Sequence, residues 1–250
     1  MSYYGSLCTQ MYELDKPNAP EEELAFYMSY AKGKDIKILE PMCGSGRFLL
    51  PFAEQGFHID GFDISKDMLE VCREKCEKRG LKVNLLNVSM EDFSTDEEYD
   101  LIMLPGGSFT VLIEDGIVTS SLNKFKSMLA PGGTLLIEAL TPIVKVDKSD
   151  VWVISNRKVR EDGKLIIESS KSDYDEQKKV ILFPLKYELF DGDNLLESEY
   201  MDLQIRLYEI DEIEELIRNS GFENVRAIKA YNRNEVPTKE DDTVIFECRK

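Results

Sequence analysis

The first 140 residues alternate between short apolar runs and longer segments whose apolar residues recur at helical spacing. Each run has the length of a β-strand. The runs fall at 36–39, 59–62, 83–87, 99–104 and 134–140. The helical segments between them fall at 47–55, 65–80 and 113–128. Strands that alternate with helices predict a mostly parallel sheet with helices on both faces.

From about residue 151 the pattern changes to alternating runs separated by turn signals, such as Asp162-Gly163. That spacing is typical of hairpins and predicts an antiparallel meander of about four strands over 151–205. An amphipathic helix then ends at Gly221, and two more strands follow at 222–231 and 243–248. The predicted fold class is therefore α/β, with a seven-stranded sheet and a small antiparallel β insert.

A glycine-containing turn follows the first predicted strand and opens the first helix of the sheet. Glycine accepts a positive φ at little steric cost, so Gly44 and Gly46 allow a tight turn there. The second strand stops at Asp63, nineteen residues after Gly44. A glycine turn, a helix and an acid about twenty residues later describe half of a nucleoside-cofactor site.

Two cofactors compete for this site. A dinucleotide requires a third glycine, but Leu49 stands at that position. Glu40 precedes the turn, where it would repel a pyrophosphate and attract an ammonium or sulfonium group. S-adenosylmethionine carries both cations and no phosphate, so the pattern favours it over NAD. An NAD-linked oxidoreductase is the less favoured enzyme.

The stretches ILEPMCGSGRFLLPFAEQG, IDGFDISKDMLEVC, YDLIMLPGGSF and LAPGGTLLIEAL resemble the class I S-adenosylmethionine-dependent methyltransferases. The resemblance implies a Rossmann-like core over 1–150 and 206–250, in which residues 1–33 form an N-terminal lid or helix. It also implies a ribose contact at Asp63 and an adenine contact near Ser89 and the Met90 amide. The cofactor-binding residues expected from pattern and resemblance together are Glu40, Met42, Gly44, Gly46, Asp63, Ile64, Ser89, Met90, Leu104 and Tyr12.

Met42 stands where the family has its first motif glycine. If Met42 takes a left-handed backbone, the strain is about 1–2 kcal/mol. Pro41 cannot donate to a strand ladder, so we expect strand pairing to end before it.

The insert at 151–205 resembles the substrate cover of small-molecule methyltransferases, including amino-sugar N-methyltransferases. A dimer interface is the alternative role for it. No constellation identifies a catalytic base. Glu138, Tyr208 and the N-terminal tyrosines are candidates by position only, namely Tyr3, Tyr4 and Tyr12.

The composition limits the classes of partner that the chain is expected to bind. The net charge of −17 argues against nucleic acid and acidic membrane surfaces and suits a neutral or cationic small molecule, such as an amine. Five cysteines without a C-x-x-C pair indicate reduced thiols, and one histidine offers little to a metal site, so none is expected. We expect a cytoplasmic monomer or homodimer. The alternative to an enzyme is a non-catalytic protein that binds S-adenosylmethionine.

Overall fold

A computed structural model describes residues 4–250, and Tyr3 lies outside them. Seven strands form the main sheet in the order β10-β11-β5-β4-β1-β2-β3. Strands β1 to β5 are mutually parallel, and only β11 runs antiparallel to both of its neighbours. The strands are β1 Lys37–Pro41, β2 His58–Asp63, β3 Asn84–Asn87, β4 Tyr99–Leu104, β5 Leu129–Leu140, β10 Asn224–Lys229 and β11 Thr243–Arg249.

Helices cover both faces of this sheet, as predicted. Their apolar sides belong to two separate buried clusters. One cluster includes side chains of α2, α3 and α4, and the second cluster includes side chains of α5 and α6. The helices are α1 Ser6–Asp15, α2 Glu21–Met28, α3 Leu49–Glu54, α4 Lys66–Arg79, α5 Asp115–Met128 and α6 Ile210–Asn219. The predicted α/β class is confirmed.

The turn after β1 has the backbone that the sequence indicates. Met42, Gly44 and Gly46 have φ angles of 55°, 53° and 82°, so Met42 does adopt the strained left-handed conformation. A Cβ on Gly46 would lie 2.6 Å from Cys72 Sγ of α4, which explains glycine at that position. The expectation that pairing ends before Pro41 is wrong. Pro41 is in register with Phe62, and the Cys43 amide continues the ladder by donating to the Phe62 carbonyl at 3.0 Å.

Several element boundaries differ from the pattern. The helix after the glycine turn begins at Leu49 rather than residue 47, and α5 begins at Asp115 rather than residue 113. Strand β5 begins at Leu129 because pairing with β4 shifts register between Tyr99 and Leu101. The chain therefore passes through a bulge where its Pro-Gly-Gly sequence predicts a turn.

The predicted meander is a second, four-stranded antiparallel sheet in the order β6-β7-β8-β9. Its strands are β6 Ser149–Val159, β7 Leu165–Asp175, β8 Val180–Asp191 and β9 Asn194–Arg206. The chain leaves β5 after Leu140 and returns beside it, because the Tyr208 amide donates to the Leu140 carbonyl at 3.0 Å. The second sheet therefore starts and ends at the carboxyl edge of the main sheet.

Helix α1 packs on the second sheet. Leu7, Cys8 and Met11 are buried against side chains of β7, β8 and β9. The Glu199 carboxylate of β9 accepts the amides of Leu7 and Cys8 at 2.9 and 3.1 Å. It thus satisfies donors that a helix N-terminus leaves free.

Candidate cofactor and acceptor site

Three carboxylates are buried in the described residues: Glu40, Asp63 and Glu138, with exposed fractions of 3 %, 9 % and 3 %. All three lie at or near the carboxyl ends of parallel strands, in β1, β2 and β5. Because burying a charge without a partner is expensive, three acids at one sheet edge indicate a site for ligands. This edge is also where open α/β sheets bind ligands.

Asp63 joins the glycine turn to the start of α4. Its two carboxylate oxygens accept the Gly44 and Ser65 amides, each at 2.8 Å. Burial raises the pKa of this carboxyl, and these backbone hydrogen bonds oppose the rise. Each oxygen keeps a lone pair for a further donor, as a ribose diol would supply.

Glu40 and Arg47 carry atoms that lack partners. Glu40 Oε2 and Arg47 Nε are buried and form no hydrogen bond within residues 4–250. Burial raises the pKa of Glu40 well above its usual value, while the Arg47 guanidinium opposes the rise. A free acceptor beside a free donor fits the ammonium and carboxylate of an amino acid group, such as the methionyl end of S-adenosylmethionine.

Tyr12 of helix α1 and Tyr4, just before the helix, lie at the same edge. The Arg47 guanidinium lies 5.9 Å from the Tyr12 ring centre. Burial raises the pKa of Tyr12, and the charges of Arg47, Glu40 and Asp63 all act on it. The Tyr4 carbonyl accepts the Ser65 hydroxyl at 2.7 Å. The structure thus brings Tyr4 and Tyr12 close to the glycine turn.

The other expected contact residues divide into two groups. Ile64 is 52 % exposed beside Asp63, and the Asn87 amide group donates to both of their carbonyls. The Ser89 hydroxyl is engaged, because it donates to Asp92 at 2.9 Å.

The side chains of Met90 and Leu104 belong to the core and are almost fully buried. At these two positions only the backbone is placed to face a ligand.

Glu138 lies in a group of acids and phenols near the expected cofactor residues. The Tyr27 phenol donates to its carboxylate at 2.7 Å. Glu23, the Tyr231 phenol and the Gly106 amide also face it. Burial raises the pKa of Glu138, the Tyr27 hydrogen bond lowers it, and the negative charge of Glu23 raises it.

Sequence reasoning missed Arg47, Tyr27 and Tyr231 as site residues. A charged residue directly after a glycine turn, ahead of an apolar helix, was a usable signal for Arg47. Tyr27 looks like an ordinary core position of α2, and Tyr231 ends the strand predicted at 222–231, whereas β10 ends at Lys229. No periodicity in the sequence places either phenol beside Glu138.

Comparison with known proteins finds a matching domain model and similar chains. Residues 38–133 match the family model described as a methyltransferase domain. The "Putative methyltransferase YqeM" of Bacillus subtilis is 22 % identical over 250 residues, which cover 100 % of this chain and 98 % of that one. A ubiquinone biosynthesis O-methyltransferase of Rickettsia prowazekii is 34 % identical over 68 residues, 27 % of each chain.

Solved structures share the whole fold. An S-adenosylmethionine-dependent methyltransferase from Clostridium acetobutylicum superposes with a TM-score of 0.80 at 14 % identity and covers 98 % of both chains. The sugar N-methyltransferase KedS8 from Streptoalloteichus has a TM-score of 0.75 at 15 % identity, over 100 % of this chain and 97 % of that one.

No helix within residues 4–250 has the length and apolar character needed to cross a membrane. The glycine turn, the acids at the strand ends and the matched domain agree on one cofactor, S-adenosylmethionine. The resemblance seen in the sequence is confirmed: residues 38–133 match a methyltransferase domain, and the chain has the fold of the S-adenosylmethionine-dependent methyltransferase that superposes on it.

Proposed function

We propose that this enzyme methylates a small-molecule amine. The observation that carries the proposal is that α1 packs on the second sheet, while Tyr12 of α1 and Tyr4 just before it reach residues of the glycine-turn region. An edge covered in this way suits a compact acceptor better than a macromolecule. The acids and phenols beneath the cover suit a cationic or neutral nitrogen.

The cofactor-binding residues follow from the free atoms and the strand ends. Glu40 holds the ammonium of the methionyl group, and Arg47 faces its carboxylate. The turn with Met42, Gly44 and Gly46 lies against the cofactor, and Asp63 accepts the ribose hydroxyls.

The adenine and methyl contacts complete the set. Ile64, Ser89 and the Met90 amide line the adenine side, while Tyr12 and the backbone at Leu104 border the methyl. When bound, S-adenosylmethionine supplies an electrophilic methyl group on a sulfonium. The chain's own part is to position the acceptor and exclude water around it.

Residues 151–205 are the acceptor cover in this proposal, and residues 1–33 form the lid over the cofactor. The core is then 1–150 and 206–250. Similarity in fold to KedS8, which is named as a sugar N-methyltransferase, supports an amine among small acceptors. The net charge of −17 supports a cationic or neutral acceptor in the cytoplasm and disfavours nucleic acid and membrane partners. The protein acts as a monomer or homodimer.

Transfer to a hydroxyl is the second candidate, favoured by the similarity to the ubiquinone biosynthesis O-methyltransferase. That similarity covers 68 residues, which are 27 % of each chain, so it bears on only part of the protein.

The test uses S-adenosylmethionine labelled in its methyl group. The protein is incubated with a cell extract that has been split by ultrafiltration into small molecules and macromolecules. The proposal expects label in the small-molecule fraction. Label confined to protein or nucleic acid contradicts it. Binding of S-adenosylmethionine without transfer to either fraction would indicate the non-catalytic alternative.

A further inference from the structure

Of the three buried carboxylates, Glu138 is the one that the cofactor does not explain. Asp63 accepts two backbone amides, and Glu40 belongs beside the methionyl group. Glu138 lies in β5, paired with Ile245 of β11. A buried acid destabilises a fold unless it is well paired. Its presence therefore calls for a reason other than stability.

The groups around Glu138 are neutral donors and one further acid. They come from three elements: Tyr27 and Glu23 from α2, the Gly106 amide from the turn after β4, and Tyr231 from the connection after β10. Within residues 4–250, no Lys or Arg forms an ion pair with this carboxylate. A carboxylate held by neutral donors keeps the capacity to bind a cation or a proton.

The backbone at Tyr231 supports a functional arrangement. Tyr231 has a φ of 60°, a left-handed conformation that costs a non-glycine residue about 1–2 kcal/mol. Such strain persists where the surrounding structure requires it, and it clusters at active sites. Here the strained residue presents a phenol to both Glu138 and Glu23.

Arg47 connects this group to the cofactor residues. A Cβ on Gly106 would lie 2.9 Å from Arg47 Nη2, so the guanidinium closely approaches the turn that faces Glu138. The same guanidinium acts on Glu40 on one side and on Glu23 on the other. The Glu138 group is therefore next to the cofactor residues, on the side of β4 and β5.

We propose that Glu138 is the catalytic residue that takes the proton from the acceptor nitrogen, with Tyr27 and Tyr231 as positioning residues. The inference rests on the proposed function. The lone pair of the neutral amine forms the bond to the methyl carbon as the carbon–sulfur bond breaks and its electrons stay on sulfur. The nitrogen, now cationic, passes one proton to the Glu138 carboxylate. The products are a neutral N-methyl amine, a neutral thioether and a protonated Glu138, which returns its proton to solvent.

The simpler explanation is that Glu138 only anchors α2 to the sheet through Tyr27. The chain contains a matched pair that isolates this explanation. The Tyr30 phenol, just after α2, donates to the Glu247 carboxylate of β11 at 2.9 Å. Glu247 also faces Arg249 and Arg233, so it is paired with cations, as Glu138 is not. A purely structural role predicts similar consequences when either acid is changed to glutamine.

The pH dependence has a defined sign. Burial raises the pKa of Glu138 above its usual value, while Tyr27, Tyr231 and Gly106 oppose the rise and Glu23 adds to it. A proton acceptor must be ionised, so the kcat of the wild type should fall as the pH drops through this raised pKa. Glu138→Gln should lose that limb of the profile, and Glu247→Gln should keep it.

The experiment compares Glu138→Gln with Glu247→Gln in the full chain. With the amine acceptor found by label transfer, Glu138→Gln should lower kcat about 100-fold or more, the usual range for acid–base catalysis. Glu247→Gln should stay near wild type.

A second measurement does not depend on turnover. Calorimetry compares S-adenosylhomocysteine with sinefungin, in which a CH–NH2 group replaces the S–CH3 group. The wild type should prefer sinefungin, and Glu138→Gln should reduce that preference about tenfold or more, because a charged hydrogen bond is lost.

The outcomes separate the two proposals. Unchanged kcat, pH profile and analogue preference in a folded Glu138→Gln protein overturn the role of Glu138 and leave amine methylation standing. Equal losses in Glu138→Gln and Glu247→Gln also overturn it, since both then reflect anchoring.

If the wild type methylates only hydroxyl acceptors, the proposed amine function fails. The analogue preference then decides separately whether Glu138 faces the transferred group. If Glu138→Gln does not fold, Glu138→Asp, which keeps the charge and shortens its reach, takes its place in each comparison.

Discussion

At the scale of single residues, the site depends on carboxylates that the protein's own side chains and backbone bury. Asp63 illustrates how one acid serves both structure and binding. Its oxygens hold the Gly44 amide of the turn and the Ser65 amide at the start of α4. It can therefore fix the turn and keep its remaining lone pairs for the ribose hydroxyls that the proposal assigns to it.

Asp63→Ala should weaken S-adenosylmethionine binding about tenfold to a hundredfold, since hydrogen bonds to a charged group contribute roughly 1.5–3 kcal/mol. Asp67→Ala, four residues later in α4, is the control and should bind normally. Isothermal calorimetry on both folded variants measures the difference. Equal dissociation constants for Asp63→Ala and wild type would reject the role of Asp63.

The proposed cofactor residues can be named from the sequence alone, whereas the proposed acceptor residues cannot be grouped from it. Glu40, Gly44 and Asp63 lie within one continuous stretch, so their spacing alone indicates a nucleoside site. Glu138, Tyr27 and Tyr231 come from three distant segments, and only the fold brings them together. Arg47 was missed because a charge within an amphipathic segment usually faces solvent.

At the scale of elements, helix α1 is attached to the second sheet more extensively than to the core. Its apolar side is buried on β7, β8 and β9, and Glu199 holds its first amides. Lys158 of β6 also pairs with Asp15 at 2.9 Å. Contacts with the core are fewer, chiefly Tyr4 with Ser65 and an ion pair between Glu13 and Lys75 at 2.5 Å. The proposed lid and the proposed cover should therefore move together.

Glu199→Ala should loosen α1 from the second sheet. Loss of a charged helix cap costs about 1–2 kcal/mol, and the Leu7 and Cys8 amides would both lose their acceptor. We expect faster proteolysis within α1 and faster release of S-adenosylmethionine, both measurable on the intact protein. Glu197→Ala, exposed on the same strand, is the control. Equal proteolysis and release rates in the two variants would contradict the coupling.

The order and type of elements could be read from the sequence because each strand and helix has its own hydrophobic period. The attachment of α1 to the insert could not, because it depends on Glu199, which is 192 residues away from Leu7. The start of β5 at Leu129 could not be predicted either. Pro-Gly-Gly normally marks a turn, but here it lies in a bulge within the strand.

At the scale of the whole molecule, the buried acids and the net charge of −17 both lower the stability of the folded state as the pH rises. Burial raises the pKa values of Glu40, Asp63 and Glu138. In the unfolded chain these groups have pKa values of about 4. Between that value and the raised values, the folded state binds more protons, so stability falls as the pH rises.

The melting temperature of the ligand-free protein should therefore rise as the pH is lowered from neutrality to about 5, toward the unfolded-state pKa values. Glu40→Gln should flatten this dependence because it removes one of the three groups. Differential scanning calorimetry of both proteins across this range tests the sign. A melting temperature that falls on acidification, or an unchanged slope in Glu40→Gln, would contradict the assignment of buried, proton-binding acids.

The central claim is that the enzyme places a methyl group on the nitrogen of a small molecule. The most direct measurement uses S-adenosylmethionine carrying carbon-13 in its methyl group, incubated with the protein and a small-molecule extract and followed by NMR. The account predicts a new labelled methyl resonance in the N-methyl region of the spectrum, which disappears when Glu138→Gln replaces the wild type. A labelled methyl on oxygen or carbon, or no product while S-adenosylmethionine still binds, would contradict it.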